Sequence, residues 1–254
     1  MKRKAMLIDI PRCENCGACE EACKEQNKLP ENDDNGLSAY TYTKVREIKG
    51  HNVRRLCMHC NDPACLSVCP VNAFTKNPEG AVVYNANRCM GCRYCMVACP
   101  FGIPRFEWDR ANPKISKCVF CFSRISKGGQ PACAEACPVE ATVFGDRDDV
   151  IKLARERIKA EPGKYIDHIY GLNEVGGTSV VYISSVPFGQ LGFPTNVEPV
   201  PLPQLTWKIL KQVPNVVTLG ALMLGGIYWI TRRREEVARF EEQQQKEQKE
   251  RETR

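Results

Sequence analysis

The chain has 254 residues, of which sixteen are cysteine, and a formal net charge of +6. A hydrophobic content of 43% allows one or two modest cores, so the length predicts two small domains with appendages. The basic residues are spread along the chain and form no nucleic-acid-binding motif, which argues against a DNA or RNA partner.

The N-terminal stretch begins Met-Lys-Arg-Lys, but only a few apolar residues separate it from Asp9 and Cys13. A secretory signal needs a longer apolar core, and a twin-arginine pair is also missing. We therefore expect no export signal in this stretch.

The cysteines form four groups of four. In chain order they are Cys13, Cys16, Cys19 and Cys23; Cys57, Cys60, Cys65 and Cys69; Cys89, Cys92, Cys95 and Cys99; and Cys118, Cys121, Cys133 and Cys137. The third group has the C-x2-C-x2-C-x3-C-P spacing of bacterial ferredoxins, in which three thiolates hold one [4Fe-4S] cluster and the fourth ligates another. Disulfides do not explain the repeated two-residue gaps, and zinc ribbons lack the third and fourth cysteine with proline.

The rule that the fourth cysteine crosses to another cluster leaves two ways of pairing the groups. In the nested pairing, the second and third groups share an inner unit, and the first and fourth groups close around it. In the sequential pairing, the first and second groups form one domain and the third and fourth form the next. Both pairings obey the same local rule.

Short strands are predicted beside the cysteine groups. Residues 40–48 alternate β-forming side chains ahead of a turn at Gly50, and residues 73–84 predict a hairpin. Residues 141–144 repeat the strand pattern of that hairpin, which indicates an internal repeat.

Several residues near the cysteines are expected to support a cluster structurally and not to bind its iron. His59 lies inside a group that already has four cysteines, so we expect a structural role for it. Phe101, Phe106 and Trp108 follow the third group and are expected to pack against a buried cluster.

The chain changes character after the fourth group. Residues 146–161 predict a helix capped by Asp146, and the proline-rich residues 187–208 predict an extended linker lying on a partner. Residues 212–231 are uncharged and mostly apolar, and their length of roughly 30 Å as a helix predicts one membrane crossing. The charged tail, residues 232–254, is compatible with both a helix and disorder.

The charges that flank the apolar stretch predict its orientation. Residues 232–234 are three arginines, whereas only Lys208 and Lys211 lie just before the stretch. The positive-inside rule therefore places the C-terminus in the cytoplasm and the cysteine-rich region on the periplasmic side of a bacterial inner membrane.

The four groups, with Cys57-Met-His-Cys60-Asn-Asp-Pro-Ala-Cys65 and Cys89-Met-Gly-Cys92, resemble the iron–sulfur β subunits of membrane oxidoreductases of the formate dehydrogenase-N and uptake [NiFe] hydrogenase type. The resemblance covers about residues 6–231 and implies the nested pairing. It implies four [4Fe-4S] clusters, held by Cys13, Cys16, Cys19 and Cys137 (cluster 1); Cys57, Cys60, Cys65 and Cys99 (cluster 2); Cys69, Cys89, Cys92 and Cys95 (cluster 3); and Cys23, Cys118, Cys121 and Cys133 (cluster 4).

The resemblance also implies an α+β fold with two ferredoxin-like two-cluster domains related by a pseudo-twofold axis, one nested in the other, and a single C-terminal transmembrane helix. The expected boundaries are 1–55 with 105–186 for the outer domain, 56–104 for the inner domain, 187–208 for the linker, 209–231 for the transmembrane helix and 232–254 for the cytoplasmic tail.

The implied function is non-catalytic electron transfer between a catalytic subunit and a quinone-linked membrane subunit, which is a cytochrome b or a polysulfide-reductase-like protein. Export would occur together with a signal-bearing catalytic partner. A membrane-tethered reductase that acts at an exposed cluster and a structural or assembly protein are the alternatives. The sequence carries no signature of a molybdenum, nickel or flavin site.

Overall fold

The computed structural model describes residues 3–32 and 34–252. It divides into two compact units, one ending at Gln204 and one beginning at Leu205. The first unit has mixed α/β structure and contains all sixteen cysteines, and the second is helical.

Short strands and helices alternate through the first unit. The strands are β1 Lys4–Asp9, β2 Lys44–Ile48, β3 His51–Arg55, β4 Phe74–Lys76, β5 Val82–Tyr84, β6 Arg105–Phe106, β7 Ile115–Ser116, β8 Thr142–Asp146 and β9 Val180–Ile183. The α-helices among the described residues are α1 Ala18–Asn27, α2 Ala64–Ser67, α3 Tyr94–Ala98, α4 Phe122–Ile125, α5 Ala132–Glu135, α6 Arg147–Ala160, α7 Leu202–Leu210 and α8 Val213–Glu252.

A three-stranded sheet in the order β8-β1-β9 joins distant parts of the first unit. β1 runs antiparallel to β8, with Lys4 opposite Asp146, and parallel to β9, with Met6 opposite Val180. All of β1 after Lys4 is buried, as expected of a central strand covered on both faces.

The side chains of β1 alternate between two hydrophobic clusters, because successive residues of a strand point to opposite faces. Ala5 and Leu7 pack with Val150 and Ala154 of α6. Met6 and Ile8, which point to the opposite face, pack into a larger core that also contains cysteines of the second and fourth groups. One face of the sheet therefore carries α6, and the other faces the cysteine-rich core.

The predicted hairpins are present. β2 and β3 pair antiparallel with Ile48 opposite His51, so the two-residue turn is Lys49–Gly50, both at positive φ, as tight hairpin turns prefer. β4 pairs with β5, with Phe74 opposite Tyr84. The predicted helix is confirmed as α6, and Asp146 at its N-cap accepts a hydrogen bond from Lys4 Nζ at 2.5 Å.

Residues 187–208 differ from the extended linker that the prolines predict. A 3-10 turn spans Phe188–Leu191, and Phe188, Leu191 and Phe193 are buried in the main core. The Tyr170 hydroxyl donates to the Pro194 carbonyl at 2.7 Å, and α7 begins at Leu202. Proline fixes the backbone at turns but leaves neighbouring aromatic side chains free to bury apolar area, so proline content alone is a poor guide here.

The second unit contains the long helix α8. The helical stretch Leu202–Glu247 includes an 18-residue window of mean hydropathy 1.5 in which no residue is buried, and it is long and apolar enough to cross a membrane. The helix continues through the charged tail to Glu252, which resolves the choice between helix and disorder for the described tail residues. Thr253 and Arg254 lie outside the described residues.

Candidate metal centres

A left-handed backbone residue recurs at the same place in each cysteine group. The residue two positions after the first cysteine has positive φ in all four groups: Asn15 (55°), His59 (49°), Gly91 (73°) and Phe120 (61°). Such residues turn the backbone sharply, so the first cysteines of a group can converge from a short loop. The shared geometry gives the internal repeat a structural basis.

Cysteines from the two ends of the cysteine-rich region line two cavities. The first outer cavity is lined by Cys13, Cys16, Cys19 and Cys137. The second outer cavity is lined by Cys23, Cys118, Cys121 and Cys133. Apolar residues such as Ile8, Val45 and Leu56 form part of their walls, and polar residues such as Thr43 and Thr142 form another part.

The remaining cysteines form two further neighbourhoods, which are visible in their effects on one another. Burial raises the pKa of the Cys60 thiol well above its usual range, and the neighbouring Cys57, Cys99 and Cys65 raise it further. Burial raises the pKa of Cys95 to about 12, with Cys89, Cys92 and Cys69 as the neighbouring thiols.

Burial is the largest influence on most of these thiols. It raises the pKa of Cys23 and Cys65 to about 12 and that of Cys19 to about 11. Without a cation, such thiols are protonated at neutral pH. A group that holds them as thiolates must therefore bring positive charge, as iron does.

Backbone N–H groups point at several of the sulfurs. Ala73 donates to Cys69 Sγ at 3.2 Å, Gly91 donates to Cys89 Sγ at 3.4 Å, and a further N–H reaches Cys118 Sγ at 3.4 Å. Hydrogen bonds of this kind stabilise thiolates and tune the reduction potential of an iron–sulfur cluster. The sulfur donors and their N–H partners thus fit such clusters.

Two observations concern the alternatives of zinc and disulfides. Among the described residues, no three His, Cys, Asp or Glu side chains are placed to hold a single metal ion. Zinc would need its sulfur ligands within about 2.3 Å of one ion. All sixteen cysteines are free thiols in the structure.

Thiols of different neighbourhoods lie close enough to influence one another, and these influences link the four neighbourhoods in series. After burial, the pKa of Cys19 responds to Cys133, that of Cys118 to Cys57, and that of Cys65 to Cys95. Cys16 and Cys92 are exposed, whereas the other cysteines are buried or half-buried. The two exposed cysteines therefore lie in the first and last neighbourhoods of the series.

His59 has the supporting role expected from its position. It is fully buried, its Nδ1 accepts a hydrogen bond from Val82 N at 2.9 Å, and its ring lies 4.5 Å from that of Phe120. Burial lowers its pKa well below the usual range, so the ring is neutral. The expectation for Trp108 is wrong, because Trp108 is 70% exposed and contacts Phe106 and Arg93.

Sequence reasoning missed two buried cations beside the cysteines. Arg54 is 1% exposed and lines both outer cavities. Lys117 is also buried, and its Nζ donates to the carbonyls of Val82 and Cys118. No local pattern distinguishes these residues from exposed cations such as Arg232, so their burial becomes visible only in the fold.

Comparisons with known proteins agree with these features. A family model described as a 4Fe-4S dicluster domain matches residues 48–147. A protein of Nitratidesulfovibrio vulgaris strain Hildenborough is 43% identical over 255 residues, covering 93% of this chain and 69% of that protein.

Two relatives have more informative names. The hydrogenase-2 operon protein HybA of Escherichia coli O157:H7 is 35% identical over 237 residues, covering 74% of this chain and 72% of HybA. The iron–sulfur subunit of the nitrate-inducible formate dehydrogenase of Escherichia coli K12 is 34% identical over 199 residues, covering 70% and 67%. By its cysteine groups and these relatives, the chain belongs to the family of iron–sulfur electron-transfer subunits of the formate dehydrogenase and hydrogenase type.

Proposed function

We propose that the chain is a non-catalytic electron-transfer subunit that holds four [4Fe-4S] clusters in a linear series between a catalytic subunit and a quinone-linked membrane subunit. The observation that carries this proposal is the sorting of sixteen cysteines into four adjoining neighbourhoods with one exposed cysteine at each end. The family membership supports the same function.

The proposed ligand sets follow the nested pairing. The two outer cavities support cluster 1 (Cys13, Cys16, Cys19, Cys137) and cluster 4 (Cys23, Cys118, Cys121, Cys133). The mutual pKa effects support cluster 2 (Cys57, Cys60, Cys65, Cys99) and cluster 3 (Cys69, Cys89, Cys92, Cys95). In each domain of this proposal, the fourth cysteine of one group completes the set begun by another.

The neighbourhoods also suggest the order of the clusters along the series. Cys19 neighbours Cys133, Cys118 neighbours Cys57, and Cys65 neighbours Cys95, which supports the order 1, 4, 2, 3. We infer that electrons enter and leave near Cys16 and Cys92, because these are the exposed cysteines of the two terminal sets.

The protein's own residues prepare the sites for this role. When bound, each cluster would supply reversible one-electron chemistry. The chain contributes thiolates, directs N–H groups at their sulfurs and surrounds the outer sites with apolar side chains. These features hold the ligands in place and limit water, which reduces the reorganisation that accompanies a change of charge.

Iron analysis with EPR-monitored reductive titration tests this proposal in the purified full-length chain or its complex. We expect about sixteen iron atoms per chain and four reducible clusters. Fewer than four reducible clusters would contradict it. Clusters that cannot be reduced would favour the assembly or structural role, and turnover of a small substrate by the isolated chain would favour the reductase.

Replacing one crossing ligand distinguishes the two pairings. In the nested pairing, Cys137→Ser perturbs the cluster held by Cys13, Cys16 and Cys19. In the sequential pairing, the same change perturbs the cluster held by the first cysteines of the third group. Cys16→Ser and Cys92→Ser serve as references, since each marks the EPR spectrum of one of these two clusters.

We further propose that α8 crosses the inner membrane once, with the clusters on the periplasmic side and the C-terminus in the cytoplasm. Residues 232–234 are arginines, and only Lys208 and Lys211 lie close to the other end of the apolar stretch, which supports this orientation. A green fluorescent protein fused to the C-terminus is expected to fluoresce, and an alkaline phosphatase fusion is expected to be inactive. An active phosphatase fusion would contradict this orientation.

A further inference from the structure

Arg54 occupies an unusual position between two sets of cysteines. It lies on β3, is 1% exposed, and forms part of the wall of both the first and the second outer cavity. Cys19 and Cys133, the cysteines that influence it most, belong to different sets. One guanidinium therefore faces two candidate cluster sites.

The hydrogen bonds of Arg54 do not neutralise its charge. Its Nε donates to Thr43 Oγ1 and its Nη1 donates to Thr142 Oγ1, both at 2.8 Å. Both acceptors are neutral hydroxyls. Nη2 makes no hydrogen bond of good geometry among the described residues, and the Cys133 thiol lies close enough to the guanidinium to raise its pKa. The two threonines fix the plane of the guanidinium and leave its third nitrogen available.

A buried cation without an anionic partner is strongly destabilising. The thiolates of a bound cluster would supply the missing negative charge on both sides of Arg54, and reduction adds one further negative charge to a cluster. The attraction between a fixed cation and a cluster grows with the negative charge of that cluster, so the cation favours the reduced form.

We propose that Arg54 is a shared counter-ion of the two outer clusters that raises the reduction potential of both. This inference rests on the proposed function. Reduction adds one electron to a cluster, supplied by an adjacent cluster or by dithionite in a titration, and Arg54 neither gains nor loses a proton. Because one cation serves both sites, it shifts the two potentials in the same direction and changes the difference between them little.

The reach of Arg54 is selective. Burial is the main influence on the pKa of Cys13, Cys19, Cys23 and Cys121, and Arg54 lowers the pKa of each, so its field reaches both outer sets. In the inner sets, the corresponding cations are Lys117 beside Cys65 and Lys76 beside Cys60. We therefore expect Arg54 to have a much smaller effect on clusters 2 and 3.

Arg55 provides a matched control on the same strand. Its guanidinium lies 3.9 Å from the centre of the Phe193 ring, and its Nη2 donates to the Gly192 carbonyl. Arg55 lines neither outer cavity. Replacing Arg55 with Gln removes the same charge as replacing Arg54, but away from the cysteines.

The test is an EPR-monitored redox titration of the full-length chain carrying Arg54→Gln, Arg54→Lys or Arg55→Gln. Cys16→Ser and Cys121→Ser identify the two outer clusters by their altered spectra. In Arg54→Gln, we expect the equilibrium constant for reduction to fall at least tenfold for both outer clusters, which is a fall of about 59 mV in each midpoint potential. Arg54→Lys keeps the positive charge, so its two outer midpoint potentials should fall by less than half as much as in Arg54→Gln.

Thr142→Val keeps the charge of Arg54 but removes one of the two hydroxyls that accept a hydrogen bond from it. This variant tests the same inference if Arg54→Gln does not assemble clusters. We expect it to lower the same two potentials by a smaller amount. The inference is overturned if, in Arg54→Gln, the equilibrium constants for reduction of the two outer clusters stay within twofold of their wild-type values. It is also overturned if the potentials of all four clusters shift equally, or if Arg55→Gln lowers the outer potentials by the same amount. If the wild-type chain itself lacks four reducible clusters, the proposed function fails first, and this inference fails with it.

Discussion

The burial of Phe188 gives a direct test of where the cysteine-rich unit ends. The proline-rich sequence predicts that this segment is a linker, whereas the structure places Phe188 in the core at 3% exposure. Its ring lies 4.9 Å from that of Tyr170 and 5.4 Å from that of Phe193. The ring therefore packs against two other buried aromatic rings.

Phe188→Ala should be strongly destabilising. Truncating a buried phenylalanine to alanine costs about 3–5 kcal/mol, through lost apolar burial and the cavity left behind. For a unit of roughly 200 residues, about 2–4 °C of melting temperature is lost per kcal/mol, so the expected decrease is about 6–20 °C. Phe188→Leu retains most of the volume and should cost less than about 1.5 kcal/mol.

The measurement is thermal unfolding of the full-length chain, followed by circular dichroism and by the visible absorbance of its clusters. Because cluster loss is irreversible, all variants are compared at one scan rate. Trp108→Ala is the matched control, since Trp108 lies in the same unit at 70% exposure, and its loss should cost about 1 kcal/mol or less. Equal melting temperatures for Phe188→Ala and Trp108→Ala would show that Phe188 is not part of the core.

Three further predictions concern other parts of the chain. Gly171 has φ +91°, and an added Cβ would lie 2.5 and 2.6 Å from two oxygens. At Gly163, φ is +90° but no atom lies within 4 Å of such a Cβ, so Gly163→Ala should cost only the backbone strain of about 1–2 kcal/mol. Gly171→Ala should therefore destabilise the fold by well over that amount. Equal stability losses in denaturant titrations of these two variants would contradict the packing around Gly171. Burial and Asp9 raise the pKa of Tyr165 to about 12, above its value of about 10 in an unfolded chain. The stability that this tyrosine contributes is therefore complete below pH 10 and is lost as the pH rises toward 12, and Tyr165→Phe should weaken that alkaline loss; an unchanged pH profile would refute this assignment. Leu222→Lys places a charge on an exposed position in the apolar part of α8, at a cost of about 2.5–3.5 kcal/mol in a membrane. Carbonate extraction should therefore release more of this variant from membranes than of a control with a lysine added in the charged tail. Equal release of the two variants would argue against a membrane span.

Features with a local cause could be predicted from the sequence. The cysteine spacing predicts the four groups, because a cluster takes its closely spaced ligands from one loop. The hairpins ending at Arg55 and Tyr84 follow from side-chain alternation and turn residues, and the helix α6 follows from helical spacing of its side chains. The apolar stretch within α8 is likewise visible from composition alone.

Features that depend on distant contacts could not be predicted in this way. β1 pairs with strands that lie more than 130 residues away in sequence, and no local pattern specifies that register. Phe188 is buried because Tyr170 and Phe193 meet it in space, although its prolines suggested an exposed linker.

The sequence by itself determined that sixteen cysteines fall into four groups and that one apolar helix follows them, because spacing and composition record both. Only the tertiary structure decided which cysteines surround a common cavity and which cation lies between two of the sets. Arg54 and Arg55 are adjacent and chemically identical, yet only Arg54 faces the cysteines. Neighbouring residues of a strand point to opposite faces, so the packing around β3 decides which arginine is buried.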